Sequence, residues 1–220
     1  MKPDAELQRG SLGSSANEIH EAVVAAANPA YGLTWLDIGC GTGAVLRIIR
    51  DRHRPARLWG VDILNWLDPD LHHDVAFISG AAESATVGLD PVDRVLMVEA
   101  LEHLESPWTV LRRAARLVAP GGMIILSTPN VESLRNRLGM LLRAQLSSFR
   151  PDNPAHLTPV LLHVVRRILG DEGLDVTHSY VARDIIPLSG GRLYPRTVHR
   201  RARKLTSISL VVTGARGQSG

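Results

Sequence analysis

Cysteine is nearly absent. The 220 residues hold one, Cys40, which excludes an internal disulfide framework and a multi-cysteine zinc site. Aromatic residues are scarce too, at 4%, so stacking platforms for single strands have little to be built from. No RNA-binding module is visible, and nucleic acid is not the expected partner. No apolar run approaches the ~20 residues of a membrane span. Met1 to Gly13 lack the apolar stretch of a secretion signal. These absences lead us to expect a cytoplasmic protein. Acidic residues are missing from one region. None follows Asp184, whereas Arg192, Arg196, Arg200, Arg201, Arg203, Lys204 and Arg216 do. The net charge of +3 thus divides into a tail of +7 and a remainder of 18 basic against 22 acidic residues. The tail suits an anionic substrate, an anionic membrane or simply a solvated helix face.

What is present is globular chemistry, 45% apolar and 21% charged. The length fits one domain over residues 16–220, after a leader at 1–15. Apolar runs read as strands at Leu33–Ile38, Leu58–Val61, Val75–Ile78, Val92–Val98 and Met123–Leu126. Helical spacing precedes them at Asn17–Ala27 and falls between them at Ala44–Arg52 and Trp108–Val118. Pro120-Gly121-Gly122 reads as a turn. The strands are continuous apolar runs, which indicates a parallel sheet covered on both faces. The predicted fold is α/β, Rossmann-like and doubly wound, with a mostly parallel sheet. Such sheets bind ligands at the carboxyl ends of their strands. Further on, Val131–Leu146 has the pattern of an amphipathic helix that Asn130 could cap. Thr158-Pro159 reads as a helix start. A strand follows near Leu174–Val181, then a basic helix over 192–204 and a last strand at Ile208–Val212.

Chemistry concentrates first at Leu36-Asp37-Ile38-Gly39-Cys40-Gly41-Thr42-Gly43. Glycines there permit a sharp strand-to-helix turn and close approach of a ligand to the backbone. The helix N-terminus that follows favours anionic groups. Gly39-x-Gly41-x-x-Ala44 also satisfies the dinucleotide pattern, so an NAD(P)-dependent oxidoreductase is the alternative. Asp37 argues against a pyrophosphate and for an ammonium. Asp62, at the end of the second strand, suits ribose hydroxyls with either cofactor. Glu99-Ala-Leu-Glu102-His103 can converge in a tight turn. With His156 it could hold a divalent metal ion. Alternatively His103 or His156 acts as a general base, or the string only orders the loop.

These motifs in this order resemble the class I S-adenosylmethionine (SAM)-dependent methyltransferases, in the branch of ubiquinone-biosynthesis-type and small-molecule enzymes. The resemblance rests on LDIGCGTG (36–43), GVD (60–62), VEALEHL (98–104), LVAPGG (117–122), LSTPN (126–130), HLTP (156–159) and EGLDV (172–176). It implies a seven-stranded sheet with SAM as cofactor and transfer of a methyl group to a small-molecule acceptor. Gly39, Cys40, Gly41 and Gly43 would line the methionine and ribose, and Asp37 would meet the amino group. Asp62 would take the ribose hydroxyls, with Ile63 on the adenine and Ala81 and Ala82 at its edge. Ala81 departs from the family, which often has an acid there. Glu99 would lie beside the methionine. Glu102, His103 and His156 would serve catalysis, and with Glu99 they are the candidate metal ligands. A SAM-binding protein without turnover is a further alternative.

Residues 131–157 read as a lid-like insertion after the fifth strand. Leu138, Met140, Leu141, Leu142 and Leu146 alternate there with Arg135, Arg137, Arg143 and Arg150. That mixture suits a lipid-linked or anionic acceptor, a peripheral membrane contact, or plain packing on the core.

Overall fold

The computed structural model of the protein describes residues 17–181 and 204–218. The leader at 1–15 and nearly all of the basic stretch at 192–204 lie outside them. Seven strands form one sheet: β1 (Thr34–Ile38), β2 (Arg57–Asp62), β3 (Val75–Ser79), β4 (Val92–Val98), β5 (Val118–Pro129), β6 (Leu174–Val181) and β7 (Ser209–Arg216). Their order is β3-β2-β1-β4-β5-β7-β6. β7 runs antiparallel to both its neighbours, and the pairs among β1 to β5 are parallel. The sheet is therefore mixed, and its order reverses between β1 and β4.

Both faces are covered. Side chains alternate along each strand, so β4 sends Val95 and Met97 into one core and Leu96 and Val98 into the other. The first core is closed by α4 (Pro107–Arg116) and α6 (Leu162–Asp171), with the short α3 (Ala82–Ala85). The second is closed by α1 (Asn17–Ala26) and α2 (Ala44–His53). In α4, Pro107, Val110, Leu111, Ala114 and Ala115 form the buried stripe and Pro107 opens the helix. That spacing follows one helical face, and proline's missing N–H costs nothing there. Each fully buried leucine or isoleucine in these layers contributes about 1.5–3 kcal/mol. Among the described residues, no helix is long and apolar enough to cross a membrane.

The structure corrects several boundaries. Pro120-Gly121-Gly122 is not a turn before a strand, because β5 runs through it. Val92 pairs with Val118 but Arg94 pairs with Met123, so the extra residues bulge out of register. A Cβ on Gly122 would lie 2.9 Å from the Asp93 carbonyl oxygen, which is why the bulge needs glycine. Thr158-Pro159 does not start a helix. Thr158 is held by Glu102 and Leu104 carbonyls, and α6 begins at Leu162. The helix expected from Val131 is α5 (Leu134–Arg143), capped by Ser133 rather than Asn130. Asn130 is buried and ties the end of β5 to Lys204 and Ser207.

Candidate active site at the carboxyl edge of the sheet

β1 and β4 are adjacent parallel strands, so the loops that follow them meet at the carboxyl edge. Gly39, Gly41 and Gly43 have φ of 81°, 51° and 81°. Such angles strain any residue with a Cβ. A Cβ on Gly39 would lie 2.9 Å from the Ala100 Cβ, so the glycine loop passes directly against the turn after β4. Gly39 and Cys40 N–H groups donate to the Val61 oxygen at 2.8 and 3.1 Å, which pins the loop to β2. The Asp62 carboxylate accepts from Gly41 N–H at 2.9 Å and from Ile63 N–H at 2.7 Å. Each oxygen keeps lone-pair capacity for a hydroxyl donor. Ile63 is 47% exposed beside it. At the end of β3, Ala81 is exposed and Ala82 is buried in the core.

Asp37 is 2% exposed. Burial, and then the charge of Asp62, push its carboxyl up to about 7. Its Oδ1 is buried with no hydrogen-bond partner among the described residues. An isolated buried carboxylate is costly, so this oxygen fits a cationic donor such as the ammonium of SAM. Cys40 behaves otherwise. Its sulfur fills the space beside Gly60, where a Cβ would come within 2.8 Å of it. Its thiol is pushed well up by burial and by Asp37 and Asp62. Cys40 thus offers a ligand its backbone and not its side chain.

After β4 the chain turns at Glu99, which adopts φ 49°. Its N–H is held by the Ser127 carbonyl and hydroxyl, each at 3.1 Å. Glu102 is fully buried and accepts from the Thr128 hydroxyl at 3.2 Å. The Glu99 and Glu102 carboxyls are buried neighbours, and Oε1 of each has no hydrogen-bond partner among the described residues. Burial pushes both up, and the Glu99 charge raises Glu102 further.

His103 Nδ1 lies 2.8 Å from the Ala155 carbonyl oxygen. A carbonyl only accepts, so Nδ1 carries the proton and Nε2 keeps its lone pair. Burial lowers the pKa of His103, against the opposing effects of Ala155 and Asp62. His156 packs edge-on against it with ring centroids 4.7 Å apart. Burial and His103 lower the pKa of His156 as well. Glu102, His103 and His156 bring one ligand atom each within 4.8 Å of one another. Glu99 is not in that group.

The expected residues thus form two clusters on one edge. Asp37, Gly39, Gly41, Gly43, Asp62 and Ile63 make one. Glu99, Glu102, His103 and His156 make the other. Ser209 and Phe149 were not foreseen. Ser209 hydrogen-bonds Glu99, and it arrives by the antiparallel pairing of β7 with Pro129. Phe149 lies 5.4 Å from the His156 ring. No local pattern marks either, because both depend on long-range packing.

Comparison with known proteins bears on the family and the fold. The profile of a family described as "Methyltransferase domain" matches residues 15–179. A ubiquinone biosynthesis O-methyltransferase of Maricaulis maris is 37% identical over 110 residues, 46% of this chain and 42% of that protein. The match thus spans less than half the length of this relative. A SAM-dependent methyltransferase structure from Archaeoglobus fulgidus superposes with a TM-score of 0.69 at 18% identity, covering 97% of this chain and 100% of that one. The 4+2 cyclase SpnF also superposes, with a TM-score of 0.63 at 18% identity over 92% of this chain and 82% of that one. The fold alone is therefore not the activity. The family match is what decides against the dinucleotide alternative, and by it the chain belongs to the class I SAM-dependent methyltransferases.

Proposed function

We propose that the enzyme methylates an oxygen of a small acceptor that carries an apolar tail or an anionic group. The observation that carries this reading is His103. Ala155 holds its Nδ1–H and burial lowers its pKa, which leaves the Nε2 lone pair to accept a proton. SAM, when bound, supplies an electrophilic methyl group on its sulfonium sulfur. The ammonium would sit at Asp37, the ribose hydroxyls at Asp62 and the adenine against Ile63, with Ala81 and Ala82 at its edge. His103 Nε2 takes the proton of the acceptor hydroxyl as the oxygen attacks. Glu102, through the Leu157 and Thr158 N–H groups that its carbonyl accepts, keeps residues 155–158 over the imidazole. The protein otherwise contributes proximity and alignment. The names of the curated relatives support oxygen as the methylated atom.

The acceptor side extends to α5. Leu134, Leu138, Leu141 and Leu142 are exposed there, among the exposed Arg135, Arg137 and Arg143. An acceptor with a long apolar tail, or the surface of an anionic membrane that holds it, fits that face.

A second reading has its own observation, the convergence of Glu102, His103 and His156. Two imidazoles and a carboxylate suit a divalent transition metal. Nδ1 of His103 is already oriented by a carbonyl, as metal-binding histidines are. Nδ1 of His156 is buried without a partner among the described residues. When bound, the metal would acidify the acceptor hydroxyl.

The test is a panel of phenolic and catecholic acceptors with His103→Gln. Turnover should fall about 10²–10⁴-fold while affinity for S-adenosylhomocysteine holds. Normal turnover would remove His103 as the base. Loss of activity on chelation, restored by one metal, would favour the second reading.

A further inference from the structure

The segment from Ile63 to Asp74 joins the ribose-binding end of β2 to β3. Apart from a single 3-10 turn at Pro69–Leu71, it has no regular structure. Its apolar hold on the protein is Leu67 and Leu71, both buried. These two side chains lie directly over Gly43, where a Cβ would come within 2.8 and 2.5 Å of them. The segment also touches the glycine loop through the backbone, Asp68 N–H to Thr42 oxygen at 3.1 Å. Any shift of this segment therefore moves Ile63 and the glycine loop together.

Charge fastens it from the far side. Arg47 stands in the first turn of α2, the helix that the glycine loop opens. Its Nη2 reaches Asp68 and Asp70, both at 2.6 Å, and its Nε reaches Asp70 at 3.2 Å. Arg50, one turn on, binds Asp70 at 3.1 Å, Asp74 at 3.2 Å and the Asp70 carbonyl at 2.8 Å. Isolated exposed ion pairs contribute little, but a forked network does more. A planar guanidinium that holds two carboxylates also fixes direction, which an ammonium does not. No carboxylate of this network touches the cofactor cluster, and the described site leaves both arginines without a role.

We propose that Arg47, with Arg50 behind it, is a positioning residue for the cofactor: its ion pairs to Asp68 and Asp70 set the Ile63–Leu71 segment and the glycine loop in register, and so set affinity for SAM. This rests on the assignment of the glycine loop and Asp62 to the cofactor. The clamp acts on cofactor binding and not on the chemical step. It is also exposed, so it weakens as salt screens it.

The experiment titrates S-adenosylhomocysteine, which carries no net charge, into the full chain by calorimetry at low and high salt. Arg47→Ala should raise its Kd about fivefold, the scale available to an exposed ion-pair network. Arg47→Lys should recover part of that, and Arg50→Ala should fall between. The melting temperature, the acceptor KM and kcat at saturating SAM should stay near those of the wild type. Salt should weaken binding by the wild type more than by Arg47→Ala. Arg116→Ala, which breaks the Arg116–Glu172 pair between α4 and α6, is the control and should leave Kd unchanged. Unchanged Kd in Arg47→Ala would overturn the inference, whether or not the melting temperature falls. So would an equal rise in Arg116→Ala. If Arg47→Ala does not fold, Arg47→Lys and Arg50→Ala decide, and wild-type Kd in both overturns it. Failure of the wild type to bind S-adenosylhomocysteine would instead sink the cofactor assignment itself, and the inference with it.

Discussion

The two halves of the carboxyl edge are built by opposite rules. On the cofactor half the backbone is stitched at every step. The glycine loop hangs on the Val61 carbonyl, Asp62 returns to Gly41, and Leu67 and Leu71 close over Gly43. On the half proposed for the acceptor, α5 presents leucines to solvent, with Leu141 79% exposed. Among the described residues of α5, Asn136 alone is buried. It holds the helix by donating to the Asn130 carbonyl at 2.9 Å and accepting from Ser147 N–H and hydroxyl at 2.7 Å each. The cofactor is the same molecule throughout the family, so its site can be prepaid by folding. On the proposed reading, an acceptor site keeps its apolar area for the ligand, which would account for the leucines that α5 leaves uncovered.

The sharpest way to break this comparison is Gly43→Val. At φ 81° a β-branched residue is strained, and its Cβ would overlap Leu71 and Leu67. A loss of about 3 kcal/mol or more is expected in urea unfolding, with S-adenosylhomocysteine binding abolished. A tolerated valine would show the cofactor half to be pliable. Next is Asp37→Asn. The Asp37 carboxyl is raised from 3.8 to about 7 in the folded protein. Between those values the folded state holds the proton more tightly than the unfolded state. Wild-type stability therefore declines as pH rises from about 4 to about 7, by on the order of 2–4 kcal/mol, and levels off above. The asparagine variant should lack that slope and be the more stable of the two at neutral pH without cofactor. It should bind S-adenosylhomocysteine at least about tenfold more weakly, since a charge-assisted hydrogen bond is lost. Identical pH slopes in the two proteins would show that Asp37 does not carry this cost.

The contrast also explains what the amino-acid sequence revealed. Asp37, the glycines and Asp62 were legible because a strand end, a turn that needs glycine and the next strand end follow each other locally. The parallel run of β1 to β5 followed from continuous apolar runs. The direction of β7 did not, because Ser209–Arg216 looks like any half-buried strand. Nor did the bulge at Pro120-Gly121-Gly122, where turn residues serve a strand. The cluster of Glu102, His103 and His156 was half legible. The first two are neighbours, but His156 arrives through Leu157 and Thr158 binding the Glu102 carbonyl. The amphipathic pattern of α5 was visible, yet the same pattern predicts a helix packed on the core. Only the structure shows that the core side is an asparagine.

On the acceptor half the expected effects are smaller and separable. Asn136→Ala removes the partners of Ser147 and of the Asn130 carbonyl, so about 1–3 kcal/mol should be lost. Hydrogen exchange should rise first in residues 134–147. Cofactor affinity should hold, because none of these groups reaches the glycine loop. The smallest effect is the most telling. Leu141→Ser with Leu142→Ser alters side chains already 79% and 75% exposed. Stability should change by no more than about 0.5 kcal/mol. If the exposed face meets the acceptor tail or an anionic surface, the same pair should raise KM for an apolar acceptor and weaken sedimentation with phosphatidylglycerol vesicles. Their Kd for S-adenosylhomocysteine should not move. Loss of stability without loss of acceptor binding would mean the leucines serve the fold, and the division between the two halves would fail.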